Sequence, residues 1–105
     1  MKLNSDCLRD ILLSVENLDY NQCLTLSSLS ELLPEYSWEC LNYHCLKLCE
    51  AGYLTAQLTP ERGNVLPVVS RIQDLTFSGH QFLENIRSDT IWSDVKEVSG
   101  KIGSH

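Results

Sequence analysis

Residues 37–54, SWECLNYHCLKLCEAGYL, do most to limit what this chain can fold into, because a helical run stops at a glycine and passes at once into a β-prone segment. Ser37 is suited to cap the helix start, Gly52 to take the left-handed position after the last turn, and Tyr53 to open the strand. A helix delivered straight into a strand is the centre of a helix-turn-helix that carries a wing.

The flanking segments fit that frame. Asn4 or Ser5 caps a first helix running to about Asn17, with Cys7, Leu8, Ile11, Leu12 and Val15 on one face at three- and four-residue spacings. Leu24, Thr25 and Leu26 form a short alternating piece able to pair as an edge strand. Ser28 and Glu31 have the spacing of a capping box, and Pro34 ends the brief helix that follows, after Leu29, Leu32 and Leu33 have turned inward. Beyond Gly52, residues 53–58 and 65–72 are β-prone and separated by Thr59-Pro60-Glu61-Arg62-Gly63-Asn64, a turn composition, so they predict a hairpin. Pro67 falls inside the returning strand and predicts an edge or a bulge there. Thr76 caps a helix burying Phe82, Leu83 and Ile86. Ser88 or Asp89 starts a last one, with Ile91, Val95, Val98 and Ile102 on a stripe and Trp92 beside it. Residues 1–102 thus read as one domain, and Gly103, Ser104 and His105 as a disordered tail or an expression scar.

Composition narrows the function. Fourteen acidic against eight basic side chains give a net charge of -6, which repels a phosphate backbone over most of the surface. No apolar run approaches the roughly 18 to 20 residues of a membrane span, and polar Asn4, Ser5 and Asp6 come within four residues of Lys2 where a signal peptide would be apolar, so a cytoplasmic protein in a bacterial host is expected. Five cysteines are an odd number for a disulfide scaffold, and three of them share one helix; reduced thiols packed as small hydrophobes are expected.

Placing the central helix at about 100° per residue puts Trp38, Leu41, Cys45, Leu48 and Cys49 inward and Glu39, Tyr43, Leu46, Lys47 and Glu50 outward, with Cys40 and His44 on the boundary. Cys40, His44, Cys45 and Cys49 are all legitimate zinc ligands. One helix nevertheless cannot aim two pairs about 100° apart at a single tetrahedral ion, and no metal or other cofactor is expected. His44 or His80 beside a cysteine is an unspecific pairing, and with no nucleophile elbow or phosphate-binding loop the chain reads as non-enzymatic, with no small-molecule substrate.

The outward face offers a DNA groove one cation between two anions, although Asn42 and Tyr43 are of a size to touch bases and Arg62 in the wing to reach a minor groove. Tyr43 and Leu46 among acids make a small apolar patch of the kind protein interfaces use, and Trp92 is a second candidate anchor.

The opening MKLNSDCLRDILL, the central YHCLKLCEAGYL and the ending LTFSGHQFLENIRSDTIW resemble a family of short phage and prophage proteins known only as a domain of unknown function. More distantly, the Leu-Thr-x-x-Gly helix followed by a tryptophan-bearing helix is similar to the YjcQ-like phage proteins. The resemblance implies a winged-helix fold and a mobile-element origin, and it implies no activity, cofactor or site residue.

The expectation is therefore a mainly α winged helix-turn-helix with a small β-hairpin and two additional C-terminal helices. It is expected to bind protein, either as a homodimer or with a host protein such as a defence factor. A sequence-specific DNA-binding regulator is the alternative. The candidate surface is Glu39, Asn42, Tyr43, Leu46, Lys47, Glu50, Arg62 and Trp92.

Overall fold

The computed structural model describes residues 1–87. They form a mixed α/β arrangement of four helices and one three-stranded antiparallel sheet: α1 (Ser5–Glu16), β1 (Leu24–Thr25), α2 (Leu26–Leu32), α3 (Trp38–Glu50), β2 (Leu54–Thr59), β3 (Val68–Leu75) and α4 (Phe77–Arg87). This layout is compatible with the winged-helix expectation. The helix expected from Ser88 or Asp89, its expected stripe, Trp92 and the expected tail lie outside the described residues.

Local chemistry sets most boundaries. The Asn4 side chain accepts from the N–H groups of Asp6 and Cys7 and starts α1. The Ser37 hydroxyl accepts from Cys40 N–H and starts α3. At the far end of α3, Gly52 takes φ +82°, its N–H donates to Cys49 O at 3.0 Å, and Tyr53 N–H donates to Leu48 O at 2.9 Å. That pair of bonds is a Schellman closure, which satisfies the last carbonyls and turns the chain into β2.

The cap of α2 is a correction. Thr25, not Ser28, is the N-cap, with its hydroxyl oxygen 3.1 Å from Ser28 N–H. The Ser28–Glu31 spacing therefore lies within the helix, because β1 runs into α2 without a loop. Leu29 is buried and Leu33 half-buried, whereas Leu32 turns to solvent.

β3 is the central strand, flanked by β1 and β2. Its buried residues are Val69, Ile72 and Leu75, every third position instead of every second. Register shifts opposite Thr55/Ala56 and Gln57/Leu58 explain this spacing, since each inserts one extra residue into β3 and returns the next apolar side chain to the inner face. Pro67 stands just before β3, so no ladder donor is lost.

The core joins Cys7, Ile11, Leu12 and Val15 of α1 to Leu29, Leu41, Cys45, Leu48, the inner face of β3, and Leu83 and Ile86 of α4. Each large apolar side chain buried there contributes about 1.5–3 kcal/mol. Cys23, expected inside with the other cysteines, is exposed.

α4 is fixed at both ends. Thr76 accepts from Gly79 N–H and donates to Gly52 O, and the Tyr53 and Phe82 rings stack at 4.5 Å. Arg87 pairs with Glu16 at the end of α1. Gly79 is the most closely approached of the described glycines, because a Cβ there would stand 2.1 Å from Tyr53 O and 3.0 Å from its carbonyl carbon, both backbone atoms. Gly79→Ala should therefore lower unfolding free energy by about 2–4 kcal/mol in denaturant titration, despite alanine's better helix propensity. A neutral or stabilised Gly79→Ala protein would contradict this packing.

Candidate functional site

The polar interior is concentrated on α3. His44 is completely buried, and Asn42 is 7% exposed. His44 Nε2 accepts from the backbone N–H of Asn4 at 2.8 Å, so the lone pair sits on Nε2 and the ring proton on Nδ1. Nδ1–H donates to Cys40 O at 2.7 Å and lies 3.6 Å from Cys40 Sγ. One imidazole thus joins the start of α1 to the first turn of α3. Asn42 does the same on the sheet side: its Nδ2 donates to Pro67 O at 3.1 Å and its Oδ1 accepts from Val69 N–H at 2.8 Å. Tyr36, between α2 and α3, donates its hydroxyl to Asp10 of α1 at 2.8 Å.

These bonds rotate α3 relative to the sequence expectation. Leu41, Cys45 and Leu48 are inside as expected, but His44 joins them from the boundary and Asn42 from the candidate surface. Trp38, expected inside, is 49% exposed. Leu46, expected outside, is half-buried against the core. The outward face that remains is Glu39, Tyr43, Lys47 and Glu50. Lys47 Nζ pairs with Glu50 at 3.0 Å and stands 5.4 Å from the Tyr43 ring centroid, so the one cation of this face is already engaged. Arg62 is exposed in the β2–β3 turn, and Trp92 lies outside the described residues.

A groove of about 460 Å³ opens between the first half of α3 and the β2–β3 loop. Met1, Trp38, Tyr43, Val65 and Leu66 give it an apolar lining, and Glu39 is its charged residue. Val65 is 98% and Leu66 48% exposed. Sequence reasoning placed both in the returning strand and so missed them. The available signal was the Pro67 that follows, since a strand that begins after a proline leaves the two apolar residues before it in a loop.

The ligand-type side chains that the fold brings together are not the Cys40, His44, Cys45 and Cys49 of the one helix. Instead Cys7 of α1 meets Cys40 and His44, their ligand atoms lying within 4.8 Å of one another. Both ring nitrogens of His44 are committed to backbone partners, so the imidazole acts in this cluster as a helix clamp.

Burial pushes the Cys45 thiol up from its ordinary 9.0 to about 12. Cys7 is also raised, by burial and then by Cys40, and Cys49 by burial. The Tyr36 hydroxyl is raised by burial and then by its bond to Asp10.

The described part of the chain is therefore a small helix–sheet protein with a polar-clamped central helix and an apolar groove beside it. The chain belongs to the family described as "Hypothetical protein (DUF2513)", which it matches over residues 2–105. It is also 32% identical over 100 residues to an "Uncharacterized protein" of Haemophilus influenzae (strain ATCC 51907 / DSM 11121 / KW20 / Rd), covering 91% of this chain and 76% of the relative. No solved structure matches the chain. No described helix is long and apolar enough to cross a membrane.

The thiol shifts set an alkaline limit. A group whose folded-state pKa is raised contributes stability that is fully present below its unfolded pKa and lost as pH climbs toward the folded value. For Cys45 that window runs from 9.0 to about 12. The denaturant midpoint should hold steady up to about pH 8.5 and fall above pH 9, with a shallower fall in Cys45→Ala. An unchanged midpoint to about pH 11, or identical slopes in the two proteins, would contradict burial of this thiol.

Proposed function

We propose that this protein is a non-enzymatic winged-helix module of phage or prophage origin that works inside the host cell by binding another protein through the groove between α3 and the β2–β3 loop. The observation that carries the reading is the groove itself: Trp38, Val65 and Leu66 are solvent-exposed around a concave apolar surface whose charged residue is Glu39. Concave apolar surface with an aromatic edge is what protein interfaces use for their central anchors.

Charge favours a partner of opposite sign. With a net charge of -6, a second copy is repelled at long range, whereas a host surface presenting apolar side chains ringed by Lys and Arg is attracted. A defence component of the host is one form that such a partner takes.

Two features weigh against the DNA-regulator alternative. Asn42, the side chain best suited to read a base, has its amide bonded to Pro67 and Val69, and Lys47 is paired with Glu50. Groove entry relies on several cations free to neutralise phosphates.

The test compares wild type with Trp38→Ala and Val65→Glu. A host protein captured by cross-linking should bind the purified wild-type chain and lose affinity by about tenfold or more in each variant. Gel shifts on the chain's own promoter region should show no sequence-dependent complex at low or moderate salt, and light scattering should report a monomer across a dilution series. Tight, salt-sensitive, sequence-dependent DNA binding would overturn the proposal. A concentration-dependent dimer dissolved by Val65→Glu would replace the host partner with a second copy.

A further inference from the structure

Two thiols on different helices face each other at the His44 clamp. Cys40 Sγ, in the first turn of α3, stands 4.0 Å from Cys7 Sγ of α1, and the two residues are 33 apart in sequence. Their surroundings differ. Cys7 is completely buried, whereas Cys40 is partly open to solvent. His44 presents Nδ1–H 3.6 Å from Cys40 Sγ, and its proton sits there because Nε2 accepts from Asn4. Cys40 therefore combines solvent access with a second thiol 4.0 Å from its sulfur.

We propose that Cys40 and Cys7 form a reversible oxidation site, in which Cys40 is the sensor thiol for hydrogen peroxide and Cys7 the resolving thiol that closes a disulfide between α1 and α3. In the first step the Cys40 sulfur, as thiolate, attacks one peroxide oxygen. The O–O bond breaks, the departing hydroxide takes a proton, and Cys40 sulfenic acid and water result. In the second step the Cys7 sulfur attacks the Cys40 sulfur. The S–O bond breaks, an S–S bond forms, and the hydroxyl leaves as water with the Cys7 proton. The two thiols together lose two electrons, peroxide is reduced to two waters, and an external dithiol reverses the change.

The geometry permits this with a local adjustment. A disulfide requires sulfurs about 2.05 Å apart, so the pair must close by roughly 2 Å, a distance that side-chain rotation of the half-exposed Cys40 covers in part. α1 and α3 are already held at this point by the His44 bonds. The order of events follows from burial: Cys7 is shielded and its thiol is pushed up, so it is not the first sulfur to react. Closure ties the first turn of α3, which carries Trp38 and Glu39 of the groove, covalently to α1.

The other cysteines act as internal controls. Cys23 is exposed but lies in the segment between α1 and β1, Cys45 is buried, and Cys49 is half-buried.

The test treats the full-length chain with a small excess of hydrogen peroxide, denatures it, alkylates the remaining thiols and maps the peptides by mass spectrometry. The expected product has lost two hydrogens, carries alkyl groups on Cys23, Cys45 and Cys49, and yields a cross-linked Cys7–Cys40 peptide that dithiothreitol releases. Cys23→Ser, a change at an exposed position, should form the same bridge. Cys40→Ser should leave Cys7 free to be alkylated. The oxidised wild type should also melt at a higher temperature than the reduced form, a gain that Cys40→Ser lacks. The proposal is overturned if Cys7 remains fully alkylatable while Cys40 proceeds to sulfinic acid, or if the disulfides that form join Cys23 between molecules.

Discussion

The fold depends on a buried histidine that no charged group requires. His44 takes the Asn4 N–H on one nitrogen and gives its proton to Cys40 O from the other, so a single ring fixes both the tautomer and the distance between α1 and α3. A fully buried polar side chain is tolerated only when its bonding capacity is met, and here both ring nitrogens have backbone partners. With Asn42 bonded to Pro67 and Val69 on the opposite side, α3 is pinned between the N-terminal helix and the central strand. Hydrophobic burial supplies most of the stability, but it is non-directional; these directional bonds set the rotation of the helix.

That rotation decides which residues remain for function. Turning His44 and Asn42 inward moves Trp38 out toward the β2–β3 loop, and the groove is the consequence. The opposite end of α3 is equally constrained. The Gly52 turn, the Thr76 bond to Gly52 O and the Gly79–Tyr53 approach lock the helix exit to α4. The helix is therefore a packing element along its whole length, and its free surface is a narrow strip plus the groove at its start.

Much of this was legible in the sequence. Ser37, Gly52, Asn4 and Thr76 mark helix ends because their side chains or backbone freedom act locally, within a turn of the residue. The α1 stripe was equally readable, since it follows helical periodicity without interruption. Three things were not readable. The end of β3 is hidden because two register shifts turn its alternation into a three-residue spacing, and its start because Pro67 leaves Val65 and Leu66 in the loop. The capping box at Ser28 lost to Thr25, one residue serving both the strand and the helix start. Most tellingly, helical placement leaves His44 on the boundary and the size of Asn42 suits it to a base, and neither reveals that Pro67, Val69 and Asn4 offer partners from 25 to 40 residues away. The Cys7–Cys40 meeting was hidden for the same reason, because it belongs to two helices and not to one.

The most direct test of the central role of His44 is amide hydrogen exchange at Asn4, followed by NMR. This N–H precedes the first helix and has no helical partner, so on sequence grounds it exchanges as fast as its N-terminal neighbours. The clamp predicts that it exchanges as slowly as core amides of α1 and that it speeds up selectively in His44→Ala, while the amides of β2 and β3 stay protected. Fast exchange of Asn4 in the wild-type protein, indistinguishable from Leu3, would contradict it.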